Sequence, residues 1–197
     1  MGSYNKNKYV ELRNDYNNIK YDSIDKDFLF LTLVIYGFNN QIRFNSNGEF
    51  NMPVGKRDFN NSLRKNLKNF ITKLKTKNIE FVNSDFREFA IETNENTLVY
   101  CDPPYFLGTA SYNENGGWTK QDEIDLLNYL TILDSKGIKF ALSNVIEHKG
   151  ATHEMLEAWI KEHNYTIHHI ICDYNNSNYH KQEGNVTKTV EVLITNY

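Results

Sequence analysis

Thr97-Leu98-Val99-Tyr100-Cys101-Asp102-Pro103-Pro104-Tyr105 is the stretch on which the fold turns. A short run rich in apolar and aromatic residues, cut off by Asp-Pro-Pro, reads as a strand that ends in a rigid loop. Pro103 pushes Asp102 toward an extended conformation, and the two prolines fix φ and withhold two backbone donors, leaving carbonyl acceptors exposed. A carboxylate beside a backbone carbonyl matches the two hydrogens of an exocyclic amino group, and Tyr105 offers a ring on which a planar base can stack. Asp and Pro also favour ordinary turns, so the tetrapeptide points to chemistry only through its context. That context is an α/β sheet, in which ligands gather at the carboxyl ends of strands.

Working outward, the chain after Asn78 alternates short strands with helices. Strands are expected at Ile79 to Asn83, Phe86 to Ile91, Thr97 to Cys101, Ile138 to Ser143, Tyr165 to Cys172 and Thr189 to Thr195. Thr119 and Asp122 have the spacing of a capping box, and Ile124, Leu127 and Leu130 carry a helical stripe that ends before Gly137. A second helix runs from Thr152 to about His163. The polar segment Asp173 to Lys188 leaves no helix between the last two strands, so they are expected to pair antiparallel and close an otherwise parallel sheet. Upstream, Asp25 to Tyr36 reads as a buried helix capped by Ser23 or Asp25 and ended by Gly37. Phe38 to Asn60, punctuated by Gly48, Pro53 and Gly55, reads as an ordered loop or hairpin. Leu63, Leu67, Phe70, Ile71 and Leu74 lie on one stripe of a further helix, with lysines opposite.

The chain has 197 residues, with 40% hydrophobic, 24% charged and 3 Pro, which excludes membrane-spanning, collagen-like and disordered classes. The N-terminus has no apolar signal core, so the cytoplasm is the expected compartment. Cys101 and Cys172 each close an apolar stretch and read as small buried hydrophobes, which leaves no disulfide or zinc framework. The six histidines form no metal constellation; His168 and His169 fall on opposite faces of a strand. Charge is uneven: Phe38 to Lys77 holds nine basic residues against Glu49 and Asp58, a local +7 that leaves −10 for the rest of a chain with net charge −3. A basic island on an acidic body is the footprint of phosphate binding at one site, although a solvated lysine face gives the same pattern.

The Asp102-Pro103-Pro104-Tyr105 motif resembles that of the Dam-type (D12 class) adenine-specific DNA methyltransferases. Arg43-Phe44-Asn45, Gly48 to Lys56, Asn83-Ser84-Asp85-Phe86, Ser143-Asn144 and Glu191 to Asn196 are similar to successive segments of that family, over roughly residues 25 to 197. The resemblance implies an α/β, Rossmann-like S-adenosylmethionine-dependent methyltransferase fold carrying a target-recognition insertion. It divides the chain into an N-terminal segment (1–24), a target-recognition region that binds DNA (25–78) and a catalytic region (79–197). The implied activity is transfer of a methyl group from S-adenosylmethionine to the amino nitrogen of an adenine flipped out of double-stranded DNA, with a GATC-like site as target. Asp102, Pro103, Pro104 and Tyr105 are then catalytic; Asp85 and Phe86, with Asp102, contact the cofactor. Arg43 and Asn45 are candidates for reading base edges, and Lys56 and Arg57 for binding phosphates. No metal is required.

The sequence lacks the family's Phe-x-Gly-x-Gly-like loop after the first strand and the acidic residue after the second, which serve the methionine end and the ribose of the cofactor. Gly116-Gly117 follows the Asp-Pro-Pro-Tyr motif and precedes Trp118, so it is no permuted substitute. The first two strands of the fold are expected to be missing from the middle of the sheet, between 79–83 and 97–101. Exposed edges would then call for a second polypeptide or a swapped homodimer to complete the cofactor site. Two other readings stand beside this one: a non-catalytic DNA-binding subunit or fragment, and an amino methyltransferase acting on RNA or protein, against which Asp102 and the recognition-like segment argue.

Overall fold

The computed structural model describes residues 3–89, 94, 96–107, 117–170 and 189–197. The chain forms two compact units, divided between Val82 and Asn83.

The first unit is helical. Helix α1 (Ser3–Asn18) and helix α2 (Ile24–Tyr36) pack together, and α3 (Asn61–Thr76) follows a looped segment. Ser23 caps α2, its side chain accepting from the Lys26 amide, and Asp25 and Asp27 in the first turn favour the positive end of the helix dipole. Gly37 ends α2 because two chain segments meet there: Gly55 N–H donates to Tyr36 O at 2.7 Å and Phe38 N–H to Pro53 O at 2.9 Å. A Cβ on Gly55 would lie 2.4 Å from the Gly37 carbonyl oxygen, so this approach requires glycine.

Residues 43 to 51 form a hairpin. Phe44 bridges Phe50, Asn51 N–H donates to Arg43 O, and Asn45 N–H donates to Glu49 O at 2.9 Å. Gly48 takes φ +74 in the turn, where the Asn45 side-chain oxygen accepts from the amides of Asn47 and Glu49. Helix α1 grips the return limb of the hairpin by side-chain bonds to backbone. Asn17 both donates to Phe50 O at 3.1 Å and accepts from Phe50 N–H at 2.9 Å, while Tyr9 and Arg13 donate to Met52 O at 3.2 Å. Tyr9, Leu33, Phe50 and Met52 are the buried centre, and the rings of Tyr16, Phe30 and Phe44 surround Phe50.

The second unit is a mixed α/β layer. Strand β1 (Leu98–Cys101), helix α4 (Lys120–Ser135) and strand β2 (Lys139–His148) make a crossover with β1 and β2 parallel, Cys101 standing opposite Leu142. The expected capping box at Thr119 and Asp122 is formed. The chain turns through Lys149 and Gly150, both at positive φ, into the short strand β3 (Ala151–Thr152), then into helix α5 (Glu154–His163) with His153 as its cap. Strands β4 (Thr166–Ile170) and β5 (Thr189–Thr195) pair antiparallel as expected. The pair closes the sheet on the side away from β1, with β5 between β2 and β4, giving the order β1-β2-β5-β4. Pairing with β5 carries β2 to His148, beyond the expected end at Ser143, with a bulge between Val145 and Glu147.

Leu126, Leu127, Leu130 and Leu133 of α4 and Leu156, Trp159 and Ile160 of α5 bury one sheet face together with Phe140, Leu142, Val192 and Ile194. Val99 and Cys101 pack into that core, while Leu98 and Tyr100, alternating with them, are 56% and 60% exposed.

The strands expected at Ile79 to Asn83 and Phe86 to Ile91 are not formed among the described residues. A strand needs a ladder partner, and none is offered here. Ile79, Phe81 and Val82 stay exposed, and Asp85 converts the next residues into a turn by accepting from the Arg87 amide at 2.9 Å, with Glu88 N–H bonded to Asp85 O. Residues 90–91, Gly116, Cys172 and the polar segment 173–188 lie outside the described residues.

Candidate active site

The sheet delivers Asp102 to Tyr105 at the carboxyl end of β1, one step beyond the Cys101–Leu142 pair. Tyr100 ties that end of β1 to β2 through a 2.8 Å hydrogen bond between its hydroxyl and that of Ser143. The Tyr105 hydroxyl donates to the Asp102 carboxylate at 3.4 Å, a long contact that keeps both groups on one side of the loop. Burial, followed by the nearby Asp102 and Glu191 carboxylates, pushes the Tyr105 phenol up to about 12. Tyr105 therefore remains a neutral ring and a donor at ordinary pH. Burial alone pushes the Cys101 thiol up to about 11, so it is an inert apolar neighbour and not a nucleophile.

Because β1 and β2 are parallel, the helix between them starts at the same end of the sheet as the loop. Asp85 and Phe86 are brought to that helix start by Arg87. Its guanidinium lies 4.5 Å over the Phe86 ring and binds the carboxylates of Asp85 at 3.1 Å, Asp125 at 2.7 Å and Asp122. Phe86 also meets the rings of Trp118 and Tyr129, with centroids 6.0 and 6.1 Å away.

Asp122 accepts from both the hydroxyl and the amide of Thr119, and these bonds, followed by the Arg87 guanidinium, lower its carboxyl from about 3.8 to about 2. A carboxyl depressed by folding contributes stability that is complete above its ordinary value and is lost as pH falls through the folded value. The Trp118 fluorescence, next to this junction, is accordingly expected to hold steady down to about pH 4 and to change between there and about pH 2. A transition complete well above pH 4 would contradict this assignment.

Sequence reasoning did not find the buried polar group behind the loop. Glu123 and Asn144 are fully buried and His153 nearly so. The Glu123 carboxylate accepts from Trp118 Nε1 at 2.6 Å, Asn144 Nδ2 at 3.0 Å and His153 Nε2 at 3.1 Å. His153 Nδ1 in turn accepts from the Leu156 amide, which leaves the ring proton on Nε2, facing Glu123. Glu123 stands beside Asp122, the capping-box partner of Thr119, and looks solvated in the sequence, so no local pattern marks it.

The candidate DNA contacts lie in the first unit. Arg43 is spent inside the hairpin, its Nε donating to Asn51 Oδ1 at 2.7 Å and its Nη2 to Asn51 O at 3.2 Å. The Asn45 side chain closes the turn and donates to Glu49. Lys56 and Arg57 line a concavity of about 440 Å³ with Asn40, Asp58, Asn60, Leu63 and Asn66, and Arg57 donates to Asn40 Oδ1 at 2.9 Å. Among the described residues no group of His, Cys, Asp and Glu could hold a metal, and no helix is long and apolar enough to cross a membrane.

Residues 2–183 match the family model for D12 class N6 adenine-specific DNA methyltransferases. The Type II methyltransferase M.FokI of Planomicrobium okeanokoites is 44% identical across the whole chain, which covers 30% of that protein. Modification methylase StsI of Streptococcus sanguinis is 41% identical over 82% of the chain and 25% of its own length. Modification methylase LlaI of Lactococcus lactis subsp. lactis is 35% identical over 98% of the chain and 29% of its own length. The chain thus spans less than a third of each of these relatives. With a match over nearly all of its length, the chain belongs to the D12 class of N6 adenine-specific DNA methyltransferases.

Proposed function

We propose that the protein methylates the exocyclic amino group of an adenine flipped out of double-stranded DNA, within a restriction-modification setting like that of its modification-methylase relatives. The observation that carries this reading is the Asp102–Tyr105 loop at the carboxyl end of a strand. The amino lone pair of adenine is delocalised into the ring and is a weak nucleophile. Asp102 and the Pro103 carbonyl accept its two hydrogens and favour the pyramidal geometry in which the lone pair points at the methyl donor. Tyr105 stacks on the flipped base, and Pro103 and Pro104 contribute no backbone donors of their own.

S-adenosylmethionine, when bound, supplies an electrophilic methyl group. The residues fit its adenine end in part: Phe86 is a flat ring at the start of α4, and Asp85 is a carboxylate beside it, shared with Arg87. The methionine end requires a glycine loop that these residues do not include. The β1 edge has no partner strand among the described residues, and its neighbouring side chains Leu98 and Tyr100 are more than half exposed. These features support a Rossmann-like fold whose remaining strands, with the glycine loop, come from another segment, a second polypeptide or a swapped homodimer. Lys56, Arg57 and the lysines of α3 bind DNA phosphates, while the hairpin held by Arg43 and Asn45 presents the recognition surface. The cytoplasm, where DNA is accessible, is the compartment that this activity needs.

Isothermal titration tests this division of labour. The chain is expected to bind duplex DNA with an affinity that falls as salt rises, and to bind S-adenosylmethionine tightly only when the glycine-loop segment is supplied. Salt-sensitive DNA binding with no cofactor binding even then would favour the non-catalytic DNA-binding reading. Absence of DNA binding would contradict both.

A further inference from the structure

Both ends of the segment that follows the Asp-Pro-Pro-Tyr motif lead to one buried carboxylate. At the near end, the Phe106 ring packs on the His153 ring with centroids 5.3 Å apart, and His153 Nε2 donates to Glu123 Oε1 at 3.1 Å. At the far end, Trp118 Nε1 donates to Glu123 Oε2 at 2.6 Å. The third donor, Asn144 Nδ2, comes from β2, the strand paired with β1. His153 is itself fixed as the cap of α5 by the Leu156 amide. Glu123 thus joins α4, β2, the start of α5, Trp118 and, through His153, the Phe106 ring beside the motif.

An apolar side chain would fill a core position between α4 and β2 without needing three donors. A buried carboxylate is stable here only because every contact is a donor of fixed direction, and those directions define where Trp118, Asn144 and His153 stand. Direction is what an acceptor loop needs, since displacing Asp102 or the Pro103 carbonyl by an ångström weakens their hold on an amino group.

We propose that Glu123 is a positioning residue for methyl transfer, holding the Asp102–Tyr105 loop in its accepting geometry through His153 and the Phe106 ring that directly follows the loop, with Trp118 and Asn144 fixing the direction of the carboxylate. This inference rests on the methyltransferase reading of the loop. It concerns residues outside the Asp-Pro-Pro-Tyr motif and gives the Glu123–His153–Asn144 cluster a task beyond packing.

Glu123→Gln tests it with little change of shape. In either orientation of the new amide, an NH₂ group faces a donor, Trp118 on one side or His153 and Asn144 on the other. Trp118→Phe removes one of the three donors to Glu123 and leaves the remainder of the core, which covers the case in which Glu123→Gln folds poorly. Hydrogen exchange in the full chain is expected to rise by about tenfold or more at 102–107 and 117–119, with the centres of β2 and β5 unchanged. In the cofactor-complete enzyme, kcat is expected to fall about 10- to 100-fold with KM for DNA nearly unchanged.

Unchanged exchange at 102–107 would overturn the proposal. So would a uniform rise across α4, β2 and α5 in both variants, or a KM effect without a kcat effect. A wild-type enzyme that transfers no methyl group with the glycine-loop segment present sinks the methyltransferase reading instead, and the exchange measurement still decides whether Glu123 holds the loop.

Discussion

Asp102→Ala is expected to lower methyl transfer by about 10²- to 10³-fold or more while leaving the affinity for S-adenosylmethionine within a few-fold of wild type. The carboxylate is exposed at the end of β1, and its recorded contact is a 3.4 Å bond from Tyr105, so removing it opens no cavity and breaks no core contact. In the proposed geometry the amino group then keeps one acceptor, the Pro103 carbonyl, and loses the charged one, which is the stronger of the two. Asp102→Asn separates charge from shape. It can still present an oxygen but supplies less electron density to the amino hydrogens, and is expected to retain more activity than the alanine variant. Single-turnover transfer with radiolabelled cofactor reads both. Equal activity of Asp102→Ala and wild type would remove the loop from the chemistry.

Phe50→Ala is expected to unfold the first unit selectively. Phe50 is 1% exposed and meets Tyr16, Phe30 and Phe44 edge-on at 6.1, 5.9 and 5.7 Å. Removing a buried phenylalanine costs about 3–5 kcal/mol, a large part of the roughly 5–15 kcal/mol that stabilises a whole domain. The unit has few buried side chains to share that loss, and the hairpin loses the anchor that its own backbone bonds to Asn17 cannot replace. Both tryptophans, Trp118 and Trp159, belong to the second unit. Far-ultraviolet circular dichroism should therefore show early loss of helix on adding urea, while the tryptophan fluorescence transition keeps its midpoint. DNA affinity should fall with the helical signal. A common shift of both probes would show that the two units unfold as one.

What the sequence reveals and what it hides follows from the range of the interactions. The capping box at Thr119, the turn chemistry around Gly48 and the Asp102-Pro103-Pro104-Tyr105 loop are set by neighbours a few residues apart, and each is legible. The strands expected at 79–83 and 86–91 have the right composition, but a strand exists only with a partner, and the described residues provide none beside them. β2 reads too short because its second half depends on pairing with Val190, Glu191 and Val192, far along the chain. Helix α1 is hidden by its asparagines and lysines, although Tyr9, Leu12 and Tyr16 recur at helical spacing and do face the core. Glu123 is the hardest case. Its role comes from donors on Trp118, Asn144 and His153, which only the folded chain brings together.

The same logic separates the candidate recognition residues. Arg43 and Asn45 are of the types that contact base edges, and the hairpin also uses both to hold its own backbone. We infer that they shape the recognition surface, and that Lys56 and Arg57, at the rim of the concavity before α3, carry the phosphate contacts.

The most direct measurement is to incubate the protein, together with the segment that carries the glycine loop, with radiolabelled S-adenosylmethionine and duplex DNA of mixed sequence, then digest the DNA and identify the labelled nucleoside. The expected result is label in N6-methyladenine, absent when Asp102→Ala replaces the wild type. Label in cytosine, or label in adenine that survives the loss of Asp102, would contradict it.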